Sequence, residues 1–243
     1  MPAKKQLQRK NRPEIYLKRM SFLLRLLGRP DKDFQIIHIA GTAGKGSVAN
    51  VIQSILSASG QKTGLYTSPY ATTSMEKIKV DGLYISHADF AKIVNDLKPH
   101  INLIYRRFSC GAPSYFEIFL AIALIYFQRQ KCRWVVLETG LGGRYDPTNF
   151  VEKPIAAAIT NIDYDHTDIL GKTLRQIAID KAGIIKKNGR FFTAEQRPKL
   201  LKIFKKICEE RGADFYHLKN DSAEDYHRLN RRLAIMICRH YRR

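Results

Sequence analysis

Acidic residues are scarce in this chain: 22 Asp and Glu stand against 42 Lys and Arg, a formal charge of +20. A field of that sign attracts polyanions such as nucleotides, nucleic acid or polycarboxylates. The excess is spread over both ends and most helical segments rather than gathered in one aromatic-laced stripe, so it reads mainly as solvated surface, with a nucleic-acid partner as the lesser alternative. Cysteine is sparse as well. Cys110, Cys132, Cys208 and Cys238 show no CxxC spacing, which argues against a zinc knuckle, a redox pair or a disulfide scaffold and fits a reducing cytosol. No stretch is long and apolar enough to span a bilayer, and "MPAKKQLQRKNRPEIYLKRM" has basic residues but no apolar run followed by a cleavage site. A soluble, cytoplasmic protein with no membrane partner is expected. Repeats and low-complexity linkers are also missing, so 243 residues, 44% of them hydrophobic, are read as one domain with a sizeable core.

What is present is an alternation of strand and helix patterns. "FQIIHIAG" (34–41), "KTGLYTS" (62–68), "RWVVLETG" (133–140), "IAAAITNI" (155–162), "GRFFTAE" (189–195) and "ADFYHL" (213–218) read as strands. Helical spacing runs through 44–60, 86–104, 114–130, 173–185 and 199–213. Ser114 with Glu117 and Thr173 with Gln176 each spell a capping box. Residues 1–20 form a basic helix or arm, "PYATTSMEKIKVDG" is a polar loop without clear period, and 222–243 is a basic terminal helix. Strands alternating with helices imply an α/β fold with a doubly wound, mostly parallel sheet, whose ligands sit at the carboxyl ends of the strands.

Three such strand ends carry chemistry. "HIAGTAGKGSVAN" (38–50) places Gly41, Thr42, Ala43, Gly44, Lys45, Gly46 and Ser47 between a buried strand and a helix. Backbone N–H groups can converge there on an anion beside the helix N-terminus. The spelling departs from the usual phosphate loop, because Gly46 separates Lys45 from Ser47. Lys45 can reach terminal phosphates and Ser47 their metal, which makes a nucleoside triphosphate the leading ligand. In "LETGLGGRYDPTN" (137–149), Glu138 arrives at a strand end where it pairs with Lys45 or binds Mg²⁺, and the glycines let the backbone approach a ligand. Asp146 and Asn149 either hold the substrate or build an Asx turn. In "DYDHTDILG", His166 among Asp163, Asp165 and Asp168 is a metal ligand or general base, while Lys181 taken alone reads as a solvated helical lysine.

"HIAGTAGKGS", "GLYTSP", "EKIKVDG", "SYFE", "VLETGLGGRYDPTN", "ITNIDYDHTDILG" and "DKAGIIK" occur in the order found in the folylpolyglutamate synthase and dihydrofolate synthase branch of the Mur ligase superfamily, over roughly residues 20 to 197. The chain resembles the ATP-binding domain of that family. The resemblance implies an ATP-dependent ligase that phosphorylates a pterin-linked carboxylate, dihydropteroate or a reduced folate, to an acyl phosphate. The amine of L-glutamate then attacks it. It further implies that Ser47, Ser68 and Glu138 serve one Mg²⁺, and that His166 and a carbamylated Lys181 serve a second. Lys45 would act on the transferring phosphoryl group, while Ser68, Pro69, the loop after Ser68 and the "SYFE" segment with Phe116 and Glu117 would contact the pterin, with Phe116 as a stacking partner.

"YHRLNRRLAI" resembles the family's His-Gln-x-x-Asn segment and brings Asn230 to the nucleotide, although Arg228 replaces the Gln. Ala43 replaces an Asn of the family's loop, Tyr70 stands where His is common, and Pro147 replaces a usual Ala. Family members continue into a smaller Rossmann-like domain, so the resemblance implies the ATP- and pterin-binding half of a two-domain, monomeric ligase. The alternatives are a nucleotide-dependent nucleic-acid-binding protein without ligase activity, and a Mur-type ligase of another substrate.

Overall fold

A computed structural model of the protein describes residues 14–107, 111–220 and 225–241. Expectations for residues 1–13, Cys110 and residues 222–224 lie outside the described part. The strands are β1 (Gln35–Ala40), β2 (Thr63–Tyr66), β3 (Ile78–Val80), β4 (Leu83–Tyr84), β5 (Trp134–Glu138), β6 (Ala156–Ile159), β7 (Arg190–Thr193) and β8 (Asp214–His217). They form one sheet in the order β4-β3-β2-β5-β1-β6-β7-β8. β3 pairs antiparallel with both β2 and β4; every other pairing is parallel, as the alternation predicts. At the centre, Ile37 of β1 stands beside Val136 of β5 and Ala156 of β6. Three carboxyl ends therefore lie side by side where the connections diverge, which is where open α/β sheets bind ligands.

The central strands are apolar at nearly every position because both faces are covered. On one face Ile37, Ile39, Leu65, Val136, Ala158 and Phe192 pack against α2 (Lys45–Ala58) and α8 (Tyr226–Arg239). On the other, Ile36, Tyr66, Val135 and Leu137 meet α1 (Glu14–Leu26), α3 (His87–Arg107) and α4 (Tyr115–Arg129). Further along that face Ala157, Ile159 and Phe191 meet α6 (Leu174–Lys181) and α7 (Pro198–Arg211); the short α5 is Thr167–Leu170.

The segment 69–82 corrects the sequence reading. Instead of a loop throughout, it forms a 3-10 turn at Ser74–Lys77, then β3 and β4 as a hairpin on the sheet edge. Three residues of alternation, Ile78-Lys79-Val80, are too short a period to read alone. The better signal is Asp81-Gly82: both take positive φ, 48° and 83°, as a two-residue hairpin turn requires.

Both capping boxes form. At α4 the box has a second role. Glu117 is fully buried; its Oε2 accepts the Ser114 N–H at 2.7 Å and the Arg19 Nη2 at 2.6 Å, with Arg19 Nε 2.9 Å from Oε1. This pair fastens α1 to α4. Removing one partner of a buried pair strands the other charge and costs roughly 3–5 kcal/mol. We expect Arg19→Met to lower the urea midpoint accordingly; a change under about 1 kcal/mol would show that the pair does not anchor α1.

Candidate functional site

Past Ala40 the chain turns through Gly41 and Gly44, with φ of 145° and 78°, into α2 at Lys45. Space as well as conformation demands glycine here. A Cβ on Gly41 would lie 1.9 Å from Thr160 Oγ1, and one on Gly44 2.3 Å from Asn230 Nδ2. The turn is strapped to the end of β6: Thr42 N–H donates to Asn161 O and Ala43 N–H to Asn161 Oδ1, both at 2.9 Å, while Thr160 Oγ1 donates to Ala43 O at 2.6 Å. Thr42 Oγ1 also accepts the Asp163 N–H at 2.9 Å. The first helical bond runs from Val48 N–H to Gly44 O, so the N–H groups of Lys45, Gly46 and Ser47 have no intrahelical partner and are available to an anion.

Glu138 ends β5 directly opposite. Its Oε1 lies 3.9 Å from Lys45 Nζ, its Oε2 accepts the Ser68 N–H at 3.1 Å, and it is 3% exposed. Burial pushes its pKa up to about 7, against the opposing pull of Lys45 and the Ser68 N–H. Lys45 Nζ is also 3.3 Å from Thr42 O. Lys181, at the end of α6, is not the solvated helical lysine that its spacing alone suggests: it is buried and donates from Nζ to Gly41 O at 2.8 Å. Burial first, and the nearby Lys45 second, lower its pKa to about 8.

His166 follows β6 in a left-handed conformation, φ 47°, with Nε2 3.4 Å from Asp165 Oδ1, and remains half exposed. It makes no hydrogen bond or ion pair with Lys181 or Glu138. Among the described residues no three His, Cys, Asp or Glu side chains converge as a metal cluster. Beside the loop there is instead one buried carboxylate, Glu138, bonded to the Ser68 N–H, with Ser47 in the first turn of α2. That donor set suits Mg²⁺, which takes one or two carboxylates and completes its shell with phosphate oxygens and water.

A cavity of about 460 Å³ opens beside this point, lined by Ser68, Pro69, Tyr70, Lys77, Phe116 and Asp146 among others, with His166 on its rim. Asp146 resolves the alternative left open for it: it lines the cavity and also caps a turn. Its Oδ2 accepts the Leu141 N–H at 2.8 Å; its Oδ1 accepts the Thr148 N–H and hydroxyl at 2.9 and 2.6 Å. Because the Thr148 hydroxyl donates to a carboxylate, it must accept from His38 Nε2, 2.8 Å away, which fixes the tautomer of that fully buried imidazole.

The structure brings Lys45, Ser68 and Glu138 together, keeps Ser47 in the first turn of α2, and lines the cavity with Pro69, Phe116, Asp146 and His166. Asn230 packs on the loop at Gly44. Two candidates stand elsewhere. Glu117 is committed to Arg19 and the helix cap, and Asn149 Nδ2 donates to Arg144 O and Gly183 O, away from the cavity lining. The glycines after Glu138 are also required by packing: a Cβ on Gly143 would meet Lys181 O at 2.5 Å and one on Gly140, which lines the cavity, the Phe116 ring at 2.6 Å. Tyr115 of the "SYFE" segment and Lys77 of the segment after Ser68 also line the cavity, although neither was singled out as a residue. Tyr16 was missed, because it looks like an ordinary amphipathic helix residue.

A glycine-tight loop after β1, a buried acid on β5 and a neighbouring cavity define an α/β domain with a candidate nucleotide site. No family model matches the chain. It is 42% identical over 203 residues to the dihydrofolate synthase/folylpolyglutamate synthase of Bacillus subtilis (strain 168), covering 83% of this chain and 47% of the relative. Among solved structures it superposes on the folylpolyglutamate synthase of Thermotoga maritima with TM-score 0.78 and 37% identity, over 84% of this chain and 47% of that one. An FPGS–AMPPCP–folate complex matches with TM-score 0.87 and 28% identity, over 92% and 62% of the two chains. Sequence and structure place the chain in the folylpolyglutamate synthase/dihydrofolate synthase family, over the N-terminal part of its members. The chain spans about half the length of the curated relatives it matches.

Burial holds His38 at a pKa of about 3, with Lys186 as a second cause. Its unfolded value is near 6.5, so this group's contribution to stability is whole above about pH 6.5 and is lost as pH falls toward the folded value. Urea midpoints between pH 7 and 5 should fall more steeply for the unaltered chain than for His38→Gln; parallel slopes would show that the imidazole is not held neutral.

Proposed function

We propose that this chain forms the ATP- and pterin-binding part of an ATP-dependent ligase that joins L-glutamate to a pterin-linked carboxylate, dihydropteroate or a reduced folate. The observation that carries it is the meeting of Lys45, Glu138 and the Ser68 N–H at the mouth of the phosphate loop, beside a cavity walled by aromatic rings. The N–H groups at the start of α2 and the Lys45 ammonium would hold the triphosphate, with Asn230 packed on Gly44 closing the nucleotide side. Glu138, Ser47 and Ser68 would hold Mg²⁺, which when bound neutralises charge on the phosphate oxygens.

Within that frame this chain's residues position and neutralise. The substrate carboxylate, lying past Ser68 and Asp146, attacks the terminal phosphorus; the bond to the bridging oxygen breaks, and ADP leaves with its electron pair. Lys45 stays beside the phosphoryl oxygens as their charge moves, so electrostatic stabilisation does the work of catalysis and no covalent protein nucleophile is needed. The glutamate amine would then attack the acyl carbon; the C–N bond forms, the C–O bond to the phosphate breaks, inorganic phosphate leaves and the nitrogen gives up a proton. His166, half exposed on the rim, is free to turn from Asp165 toward a second ion. Lys181 belongs to the same corner: a pKa near 8 leaves part of its amine neutral at physiological pH, the form that adds carbon dioxide to become a carbamate ligand.

Calorimetry with AMPPCP and Mg²⁺ tests the nucleotide site. We expect Lys45→Met to weaken binding at least about tenfold, the loss of one charge-assisted contact. Glu138→Gln should remove most of the Mg²⁺ dependence. Since the Glu138 pKa sits at about 7, protons compete with the metal below that pH, and the Mg²⁺-dependent share of affinity should shrink from pH 8 to pH 6. No AMPPCP binding by the unaltered chain would overturn the proposal.

A further inference from the structure

Outside the site and its cavity, three cations gather where two turns meet. The turns 144–149 and 182–186 pack backbone to backbone: a Cβ on Gly183 would lie 2.4 Å from Arg144 Cα, and Asn149 Nδ2 donates to both Arg144 O and Gly183 O. Lys186 closes the same corner, its Nζ donating to Asn149 O at 3.2 Å. From the end of α7, Arg211 donates through Nη1 to the carbonyl of Ile185, the residue before Lys186. Arg144, Lys186 and Arg211 thus come from three separate segments. None of them lines the cavity beside Ser68.

Their charges are left largely unanswered. Lys186 is half-buried; burial first, and Arg211 second, lower its pKa to about 8, with Glu152 pulling the other way. Arg211 is lowered by burial and next by the like charge of Arg144, against a weaker pull from Cys208 and Glu210. Among the described residues none of the three forms an ion pair. The acids within electrostatic reach are shared: Glu152 also acts on Arg29, and Glu210 lies 3.9 Å from Lys206. Cations that the fold holds together without an acid between them are costly, and an anion that joins them offsets that cost. Lys186 and Arg211 keep N–H donors beyond the one carbonyl each serves, and a guanidinium fork matches the oxygens of a phosphate. Two forks and an ammonium offer more donors than one carboxylate accepts, so the set fits a dianion with several oxygens.

We propose that Arg144, Lys186 and Arg211 form a binding site for a small multivalent oxyanion of the phosphate type, separate from the phosphate loop. The bound anion ties the 144–149 turn to α7. Because Asp146 of that turn also lines the cavity, the anion steadies one wall of the cavity from outside. The inference stands on these three residues and does not depend on the ligase reading.

The probe is inorganic phosphate, titrated by calorimetry into the chain with its phosphate loop already filled by AMPPCP and Mg²⁺, and compared with chloride at the same ionic strength. The unaltered chain should bind one phosphate. Lys186→Met should weaken that binding at least about tenfold, the loss of one charge-assisted contact, while Lys186→Arg keeps it within a few-fold and AMPPCP affinity stays unchanged in both. A crystal of the unaltered chain soaked in selenate locates the site by anomalous scattering, with a peak expected within hydrogen-bond reach of Lys186 Nζ and the Arg211 guanidinium. Phosphate heat that chloride reproduces, binding that survives Lys186→Met, or selenate at the phosphate loop alone would each overturn the proposal. The selenate map needs no substitution, so it decides the matter where Lys186→Met fails to fold. Failure of AMPPCP to bind is a different result: it removes the nucleotide reading and leaves the selenate map as the test of this site.

Discussion

A carboxylate buried at the end of a central strand is the constraint on which the site depends. Glu138 has lost nearly all of its water, and the charged form is disfavoured enough to raise its pKa to about 7. What offsets that loss is modest: one backbone N–H from Ser68 and a lysine 3.9 Å away, looser than a tight ion pair. The arrangement is poised for a further cation. A divalent ion entering beside Ser47 and Ser68 would supply the missing charge, and phosphate oxygens would supply its remaining ligands. Under the proposed function, the cost of burying that charge would be recovered when a metal–nucleotide pair binds.

The rest of the fold holds that carboxylate in place. Its strand lies between β2 and β1, so Ser68 past the end of one neighbour and the phosphate loop past the end of the other reach it from both sides. β6, on the other flank of β1, straps the loop through Thr160, Asn161 and Asp163. Glycine is required where backbone meets backbone or a fixed side chain, at Gly41 against Thr160 and at Gly143 against Lys181. Even Gly46 owes its small size to the site, since a Cβ there would come 3.3 Å from Glu138 Oε2. Behind the cavity, the buried chain from His38 through Thr148 to Asp146 ties the substrate wall to the core of β1.

Much of this was legible in the sequence because it is local. Apolar runs marked the buried parallel strands, Ser114 with Glu117 and Thr173 with Gln176 marked helix starts, and glycine spacing marked the phosphate loop. Local patterns do not say what a side chain meets from a distant segment. Glu117 read as a substrate residue because it belongs to the "SYFE" segment that carries the family resemblance, but Arg19, 98 positions away, takes its charge. Asp146 could not be divided between turn and site, since it both caps the turn and lines the cavity. Lys77 carried no signal of its own: its place in the cavity wall is set by aromatic rings on α4 and in the loop after Ser68, which only the fold brings around it.

The most direct measurement of the central claim is the position of the metal. A crystal of this chain grown with AMPPCP and Mn²⁺ in place of Mg²⁺ reports it through anomalous scattering. The account predicts a peak bound by a Glu138 oxygen and by phosphate oxygen, next to Ser47 and Ser68, with Lys45 turned toward the phosphates. A nucleotide held in the loop with its metal away from the end of β5, and Glu138 still facing Lys45, would contradict it.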